Sequence, residues 1–369
     1  MPTVLVAGGG TGGHIFPGLA IARELMERTP GCEVLFVGTA RGLESKIVPA
    51  EGFRLLTIRS AGISAKGLWP RMKGMGLVPF SLLQSLSILG STRPALVVGV
   101  GGYASGPVLA AAVMRRTPTL IHEQNDIPGL TNRWLAPFVT KVAVSFPETI
   151  ARLGGRGVVT GNPVRRAFGQ IPARESAPDS PRHMLVFGGS QGSRALNRAM
   201  TASLPGLAAL RGRLTITHQT GEAALAEVTQ AYRQAGFTEQ GADVRPFIRD
   251  MAGAFGRADL VVCRSGATTV AELMAAGRPA VLVPFAGAAH DHQTFNARRL
   301  EATGAAVVVT ESQLDGPALA TAVTSLLDDP ARLARMGQAG RAAARLDAAS
   351  RLADLCVALM VKEPRGRAA

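Results

Sequence analysis

The chain has 369 residues, 40 Lys and Arg against 26 Asp and Glu, a formal charge of +14 and only 5% aromatic residues. This length exceeds one ordinary core and suits two domains, and the basic balance favours anionic partners such as nucleotide phosphates or an acidic membrane leaflet. It argues against nucleic acid, because no stretch interleaves Lys or Arg with the rings on which bases stack.

No Lys or Arg precedes the first apolar run, which breaks at once into glycine, so a secretory leader is not expected. Cys32, Cys263 and Cys356 lie far apart without metal spacing and read as reduced thiols of a cytoplasmic protein. Along the chain, β-rich runs alternate with helical patterns: VLVAG (4–8), a helix near 17–28, VLFVG (34–38), ALVVGVG (95–101), TLIHE (119–123) and KVAVS (141–145). That alternation predicts βαβ units and a parallel sheet. Two uncharged stretches, 74–92 and 94–114, reach the ~20 residues that cross a bilayer, but Gly99, Gly101, Gly102, Gly106 and Pro107 interrupt the second. It reads as strand, glycine loop and helix.

IPARESAPDSPRH, residues 171–183, has a linker's composition. A second series follows: MLVFGG (184–189), LTITHQ (214–219), DLVVC (259–263) and AVLVPF (280–285), so the α/β architecture repeats. After Pro330, Leu333, Met336, Leu346, Leu352 and Leu355 fall near helical spacing and predict one or two amphipathic helices.

Three glycine loops carry the chemistry. Gly8, Gly10 and Gly13 satisfy GxGxxG after a strand and before a helix, the context of a dinucleotide fingerprint. The second strand, however, ends in Gly38, Thr39 and Ala40, then Arg41; Glu44 comes too late to hold a ribose, which argues against a redox enzyme. No Lys-Ser or Lys-Thr closes any loop, which argues still more strongly against a P-loop. His14, at the loop's end, either satisfies loop backbone groups or takes a proton from a hydroxyl lying over the glycines. GGSQGSR (188–194) again stands between strand and helix, where backbone N–H groups and the helix dipole suit a diphosphate. GVGGYASGP (99–107) is either a turn or part of the crevice at the strand ends. Thr269 and Glu272 have capping-box spacing, so Glu272 either caps its helix or takes ribose hydroxyls. His290, Asp291 and His292 invite a metal, but adjacent residues cannot easily face one ion; Gln293 and Asn296, one turn apart, can present amides to a sugar.

GGGTGGHIFPG, GGYASGP, HEQNDIPGLTN, GNPVR, FGGSQGSR, PFIRDM, CRSGATTVAE and HDHQTFNA together resemble the MurG-type N-acetylglucosaminyltransferases of peptidoglycan synthesis. The resemblance implies an α/β GT-B fold, two Rossmann-like parallel-sheet domains facing across a cleft. Residues 1–163, with a returning helix at about 345–369, are expected to hold the acceptor, and residues 164–344 the donor. It implies transfer of GlcNAc from UDP-GlcNAc to the C4 hydroxyl of the muramoyl sugar of lipid I, giving lipid II with inversion. UDP-GlcNAc is the donor substrate; no cofactor and no metal are implied.

By the same resemblance, Gly188, Gly189, Ser190, Gln191 and Gly192 hold the donor diphosphate and Arg165 neutralises it. Phe247 and Ile248 meet uracil through their backbone, Glu272 meets the ribose, and Gln293 and Asn296 meet the GlcNAc hydroxyls. Thr11, Gly12, Gly13, Tyr103, Ser105 and Asn125 form the acceptor side, with His14 as the candidate base and Glu123 as a carboxylate that could take the proton instead. Alternatives are another GT-B enzyme, a glycolipid synthase or UDP-sugar epimerase, or a non-catalytic UDP-sugar or lipid-carrier binding protein.

A lipid-linked acceptor requires membrane contact, so an anionic membrane surface and other cell-wall synthesis proteins are the implied partners, at the cytoplasmic face of the inner membrane. In residues 66–86, Trp69, Met72, Met75, Leu77, Val78, Phe80 and Leu83 stand beside Lys66, Arg71 and Lys73. This is either an interfacial patch or a core helix.

Overall fold

The computed structural model describes residues 1–60, 68–174 and 180–361, with side chains for all of these except 68–75 and 289. The chain divides into two units, Met1–Val164 with Arg345–Ala369, and Arg165–Ala344.

The first unit is built on β1 (Thr3–Ala7), β2 (Glu33–Gly38), β3 (Arg54–Thr57), β4 (Leu96–Gly99), β5 (Thr119–Glu123), β6 (Lys141–Val144) and β7 (Val158–Val159). They form one sheet in the order β3-β2-β1-β4-β5-β6-β7, and every pair is parallel. A parallel sheet needs cover on both faces, which is why its central strands are apolar throughout. Val4 and Val6 pack with Ile15 and Leu19 of the helix Gly12–Arg28 and with Leu352 and Cys356 of the last helix, Ala348–Val361. Leu5 and Ala7 face the other way, onto Leu89, Val108 and Ala112. Arg28 ties the last helix down through Asp354 and Ser350.

The second unit carries β8 (Arg182–Phe187), β9 (Leu214–Gln219), β10 (Ala242–Arg245), β11 (Leu260–Cys263), β12 (Ala280–Leu282) and β13 (Ala306–Val308). Their order is β10-β9-β8-β11-β12-β13, again all parallel. In each sheet the chain starts at a central strand, winds outward one way, and returns to wind the other way. The loops after β1 and β4, and after β8 and β11, therefore part at a topological switch point, where α/β sheets leave a crevice for ligands.

The strands expected from the sequence all form; β3, β7, β10 and β13 are additional and stand at the four sheet edges. Residues 74–92 lie in the helix Leu68–Thr92, and no described helix is long and apolar enough to cross a membrane. Of the expected linker, residues 175–179 lie outside the described residues, while its start is fastened to the second unit. Arg278, almost wholly buried, donates to the carbonyls of Phe255, Gly256 and Pro172 at 2.7, 3.1 and 3.2 Å. Burial, with Arg341 and Arg174 nearby, brings its pKa down to about 10. Arg278→Leu strands those carbonyls without donors and is expected to lower the free energy of unfolding by about 3 kcal/mol. Urea denaturation checks this; an unchanged midpoint would show that water replaces the guanidinium.

Candidate active site

In the first unit the loops after β1 and β4 are pressed together. A Cβ on Gly102 (φ +84°) would sit 2.2 Å from the Gly9 carbonyl oxygen, and one on Gly101 (φ +89°) 2.7 Å from Cδ2 of His14. Only glycine permits both the conformation and the approach. Beneath this crossing lies Glu44, 1% exposed. Its carboxylate accepts from the Gly10 N–H (2.7 Å), the Thr39 N–H (2.9 Å) and the Thr39 hydroxyl (2.8 Å). Burial alone would raise its pKa, but the donors outweigh burial and lower it, so the carboxylate stays ionised. A negative charge under the loop, with one loop N–H turned inward, is the opposite of a pyrophosphate cradle.

His14 is the third residue of the helix Gly12–Arg28. Its Nδ1 stands 3.2 Å from the Gly9 carbonyl and 3.2 Å from Oγ1 of Thr11. A carbonyl only accepts, so Nδ1 carries the hydrogen and the basic lone pair is on Nε2. Gly12 and Gly13 open the same helix, and the half-exposed Tyr103 lays its ring beside Gly10. The Tyr103 carbonyl accepts from the Ser60 hydroxyl at 2.7 Å. His14, Thr11, Gly12, Gly13 and Tyr103 are thus brought together.

Glu123 and Ser105 are not part of that surface. Glu123, 2% exposed, accepts from the N–H and side-chain amide of Asn125 (3.0 and 3.1 Å), the Gly129 N–H (2.9 Å) and the Asn132 amide (2.8 Å). Four donors fill a carboxylate's lone pairs, so Glu123 is corrected from proton acceptor to the clasp of the Asn125–Asn132 loop. Ser105 is wholly buried, and a Cβ on Gly99 would come within 2.7 Å of its hydroxyl, so it packs under the loop rather than meeting a ligand.

In the second unit the loop after β8 repeats the close crossing. A Cβ on Gly192 (φ +73°) would lie 1.8 Å from the Thr220 carbonyl, and one on Gly221 2.2 Å from that of Gln191. Gly189, Ser190 and Gln191 are exposed at the start of the ten-residue helix Arg194–Ser203. Ser193 caps that helix by accepting from Leu196 N–H, and it also accepts from Arg264 Nε and Nη2 at 3.1 and 2.7 Å. Arg264 is buried, held further by the carbonyls of Val283 and Pro284 and by Glu311. An Arg264–Glu311 ion pair lies under this loop, where the Glu44 carboxylate, held by N–H and hydroxyl donors, lies under the other. Gln219 joins the loop to the next segment: its amide donates to the Gly189 carbonyl (2.7 Å) and its oxygen accepts from Ile248 N–H (2.8 Å). The Ile248 N–H is therefore turned inward, whereas the Phe247 ring is exposed.

The capping-box reading of Glu272 fails, since its helix, Ala267–Ala276, starts with Gly266 as N-cap and places Glu272 mid-helix. Instead Glu272, 6% exposed, takes Nη2 of Arg165 at 2.8 Å. Burial raises its pKa, and the Arg165 charge only partly offsets that. Arg165, expected on a diphosphate, is here an ion-pair partner lying over the Phe168 ring. Gln293 accepts from Phe285 N–H at 3.1 Å, and Asn296, 0% exposed, donates to the Ser265 carbonyl at 3.3 Å. Asn296 is corrected to a supporting residue. Exposed His290 and Asp291 hold left-handed conformations (φ +52° and +54°), strain of the kind kept at ligand loops, while His292 is half-buried. Among the described residues no three His, Cys, Asp or Glu side chains gather as metal ligands.

Two family descriptions match: the glycosyltransferase family 28 N-terminal domain over residues 4–144 and the C-terminal domain over residues 183–352. The chain belongs to glycosyltransferase family 28. A UDP-N-acetylglucosamine--N-acetylmuramyl-(pentapeptide) pyrophosphoryl-undecaprenol N-acetylglucosamine transferase of Anaeromyxobacter sp. (strain Fw109-5) is 48% identical, the match covering 97% of this chain and 93% of the relative. The crystal structure of Acinetobacter baumannii MurG is 32% identical with a TM-score of 0.76, covering 96% and 99% of the two chains. The glycosyltransferase of kitacinnamycin, at 19% identity and a TM-score of 0.74 over 98% of this chain and 100% of its own, shares the fold. The GT-B fold and the place among MurG transferases expected from the motifs both hold.

Three residues of this family 28 chain escaped the motif reading: Glu44, Arg264 and Gln219. Arg264 stands inside CRSGATT and Gln219 ends a predicted strand, so position offered a signal; the buried carboxylate of Glu44 offered none. The Arg165–Glu272 pair makes a stability prediction. Removing Arg165 drives the Glu272 pKa further up, and a native carboxyl with a raised pKa costs stability as pH rises through it. Arg165→Ala is expected to lose about 2 kcal/mol at pH 8, a value discounted because Arg165 is partly exposed, and less than half of that at pH 5. Denaturation at the two pH values checks it, and adding Glu272→Gln should abolish the pH dependence.

Proposed function

We propose that this chain transfers GlcNAc from UDP-GlcNAc to the C4 hydroxyl of the muramoyl sugar of lipid I, giving lipid II, in one inverting displacement without a metal. The observation that carries the reading is 48% identity over nearly the whole chain to a transferase named for that reaction. The orientation of His14 supports the chemistry: Nδ1–H rests on the Gly9 carbonyl, and Nε2 is the basic atom.

The acceptor sugar lies over the first glycine loop, contacting Thr11, Gly12, Gly13, Tyr103 and the Asn125 that Glu123 holds in place. His14 Nε2 removes the C4 proton as that oxygen attacks the anomeric carbon, and the Gly9 carbonyl supports the imidazolium that forms. The C1–O bond to UDP breaks on the opposite face, which inverts the configuration. Negative charge then grows on the diphosphate at Gly188, Gly189, Ser190, Gln191 and Gly192, where the helix Arg194–Ser203 and Arg264 meet it. Glu272 accepts the ribose hydroxyls, which releases Arg165 toward the diphosphate. The Phe247–Ile248 segment reads uracil, and Gln293 reads the GlcNAc hydroxyls.

The lipid tail is met at the cytoplasmic membrane surface. On the helix Leu68–Thr92, Phe80 and Leu83 are 42% and 65% exposed, and Arg59 stands over the Phe80 ring at 5.5 Å. Lys66 lies outside the described residues, as do the side chains of Trp69, Arg71, Met72, Lys73 and Met75. Apolar side chains beside cations suit an anionic leaflet.

Labelled GlcNAc transfer to a lipid I analogue should proceed with chelator present and give a β-linked product; chelator-abolished transfer would refute the metal-free route. His14→Ala should lower kcat by roughly 10²–10⁴-fold and leave UDP-GlcNAc binding intact; lost binding would overturn the division of roles. Phe80→Ser with Leu83→Ser should weaken binding to anionic vesicles by about tenfold or more, with turnover of a short-chain soluble acceptor unchanged. Equal vesicle binding would remove this face from the membrane contact.

A further inference from the structure

We infer that His218 and Tyr232, both buried beneath the second glycine loop, are positioning residues that set where the donor diphosphate loop stands. The inference rests on the reading of Gly188–Gly192 as that loop.

His218 lies on β9 and Tyr232 on the helix Leu225–Gln234, and both are closed off from solvent within the second unit. Such a site would accept an aliphatic side chain with no polar group to satisfy. Instead a chain of hydrogen bonds runs through it. Tyr232 Oη is 3.2 Å from His218 Nδ1, His218 Nε2 is 3.2 Å from Asn197 Oδ1, and the Asn197 amide donates to the Thr220 carbonyl at 3.0 Å.

Only one pattern of hydrogens fits. The Thr220 carbonyl must accept, so Asn197 turns its NH₂ there and its oxygen toward His218. His218 then carries its hydrogen on Nε2 and accepts from the tyrosine hydroxyl on Nδ1. Burial pushes the His218 pKa down to about 3, so the ring stays neutral and the pattern does not change across the working pH range.

The chain ends on the atom that the donor loop leans against. The Thr220 carbonyl is where a Cβ on Gly192 would collide at 1.8 Å, and Gly221 is packed as tightly on the Gln191 carbonyl. On its other side Thr220 N–H donates to the Arg245 carbonyl at 3.0 Å. Asn197 itself sits in the first turn of the helix that starts from the loop. The network therefore grips both sides of the loop, and a fully satisfied buried network specifies one arrangement where apolar packing tolerates several.

The test is calorimetric titration of the full chain with UDP, with steady-state kinetics on UDP-GlcNAc. His218→Leu should weaken UDP binding at least tenfold and raise the donor KM by the same factor. His218→Gln, whose amide can donate to Asn197 Oδ1, should stay within threefold of wild type. A purely space-filling role would not separate these two variants. A folded His218→Leu that binds UDP like wild type, or a His218→Gln as weak as His218→Leu, overturns the proposal. If His218→Leu does not fold, Tyr232→Phe decides: a threefold or greater loss of UDP affinity supports the proposal and unchanged affinity overturns it. Failure of the wild-type chain to bind UDP overturns the donor-loop reading, and this proposal with it.

Discussion

Both units depend on one steric constraint: two strand-end loops cross with less room than a Cβ requires, those after β1 and β4 at the switch point of the first sheet and those after the neighbouring β8 and β9 in the second. Gly102 over Gly9 in the first sheet and Gly192 over Thr220 in the second leave backbone against backbone. Any other residue there would force the loops apart and move every group they carry. In the first unit Gly8 of the GxGxxG pattern needs no dinucleotide to explain it, because a Cβ there would lie 2.4 Å from Val100. Glycine is needed for the approach, and His14 gains its place because Gly101 lies against its ring.

What distinguishes the two crossings is the charge beneath them. Glu44 is buried and ionised under the first loop, while Arg264, buried under the second, is paired with Glu311. The buried Glu44 charge disfavours a diphosphate against the first loop, and the paired Arg264 sets no such charge against one on the second. Each loop leads into a helix N-terminus, so the buried side chains, and not the glycine loops as such, make the two loops electrostatically different.

The central strands were legible because a parallel sheet covered on both faces demands unbroken apolar runs, as in VLVAG and DLVVC. Arg54–Thr57, Val158–Val159, Ala242–Arg245 and Ala306–Val308 were not, and these are the edges, short or half-exposed and paired on one side only. The candidate site divides in the same way. Motifs located its loops, but not the direction of each side chain. Glu123 ends β5, Ser105 opens the helix Ser105–Met114 and Asn296 lies within the helix His292–Ala302, and all three turn inward; Glu123 and Asn296 hold backbone groups of the neighbouring segments. Arg165 and Glu272, 107 residues apart in sequence, meet as an ion pair that no local pattern announces.

Many of the polar groups assigned to the donor are already paired within the protein. Ile248 N–H is held by Gln219, the Gln293 oxygen takes Phe285 N–H, and Glu272 is held by Arg165. A ligand must exchange these bonds for its own, so each contact contributes less net affinity than it would against an unpaired group. The exchange sharpens selection. On the proposed roles, a nucleotide lacking the ribose hydroxyls leaves the Arg165–Glu272 pair closed and Arg165 away from the diphosphate, so it loses the charge contact along with the hydroxyl contacts. Discrimination then exceeds what the ribose alone could supply, because one buried carboxylate decides whether a second group is available.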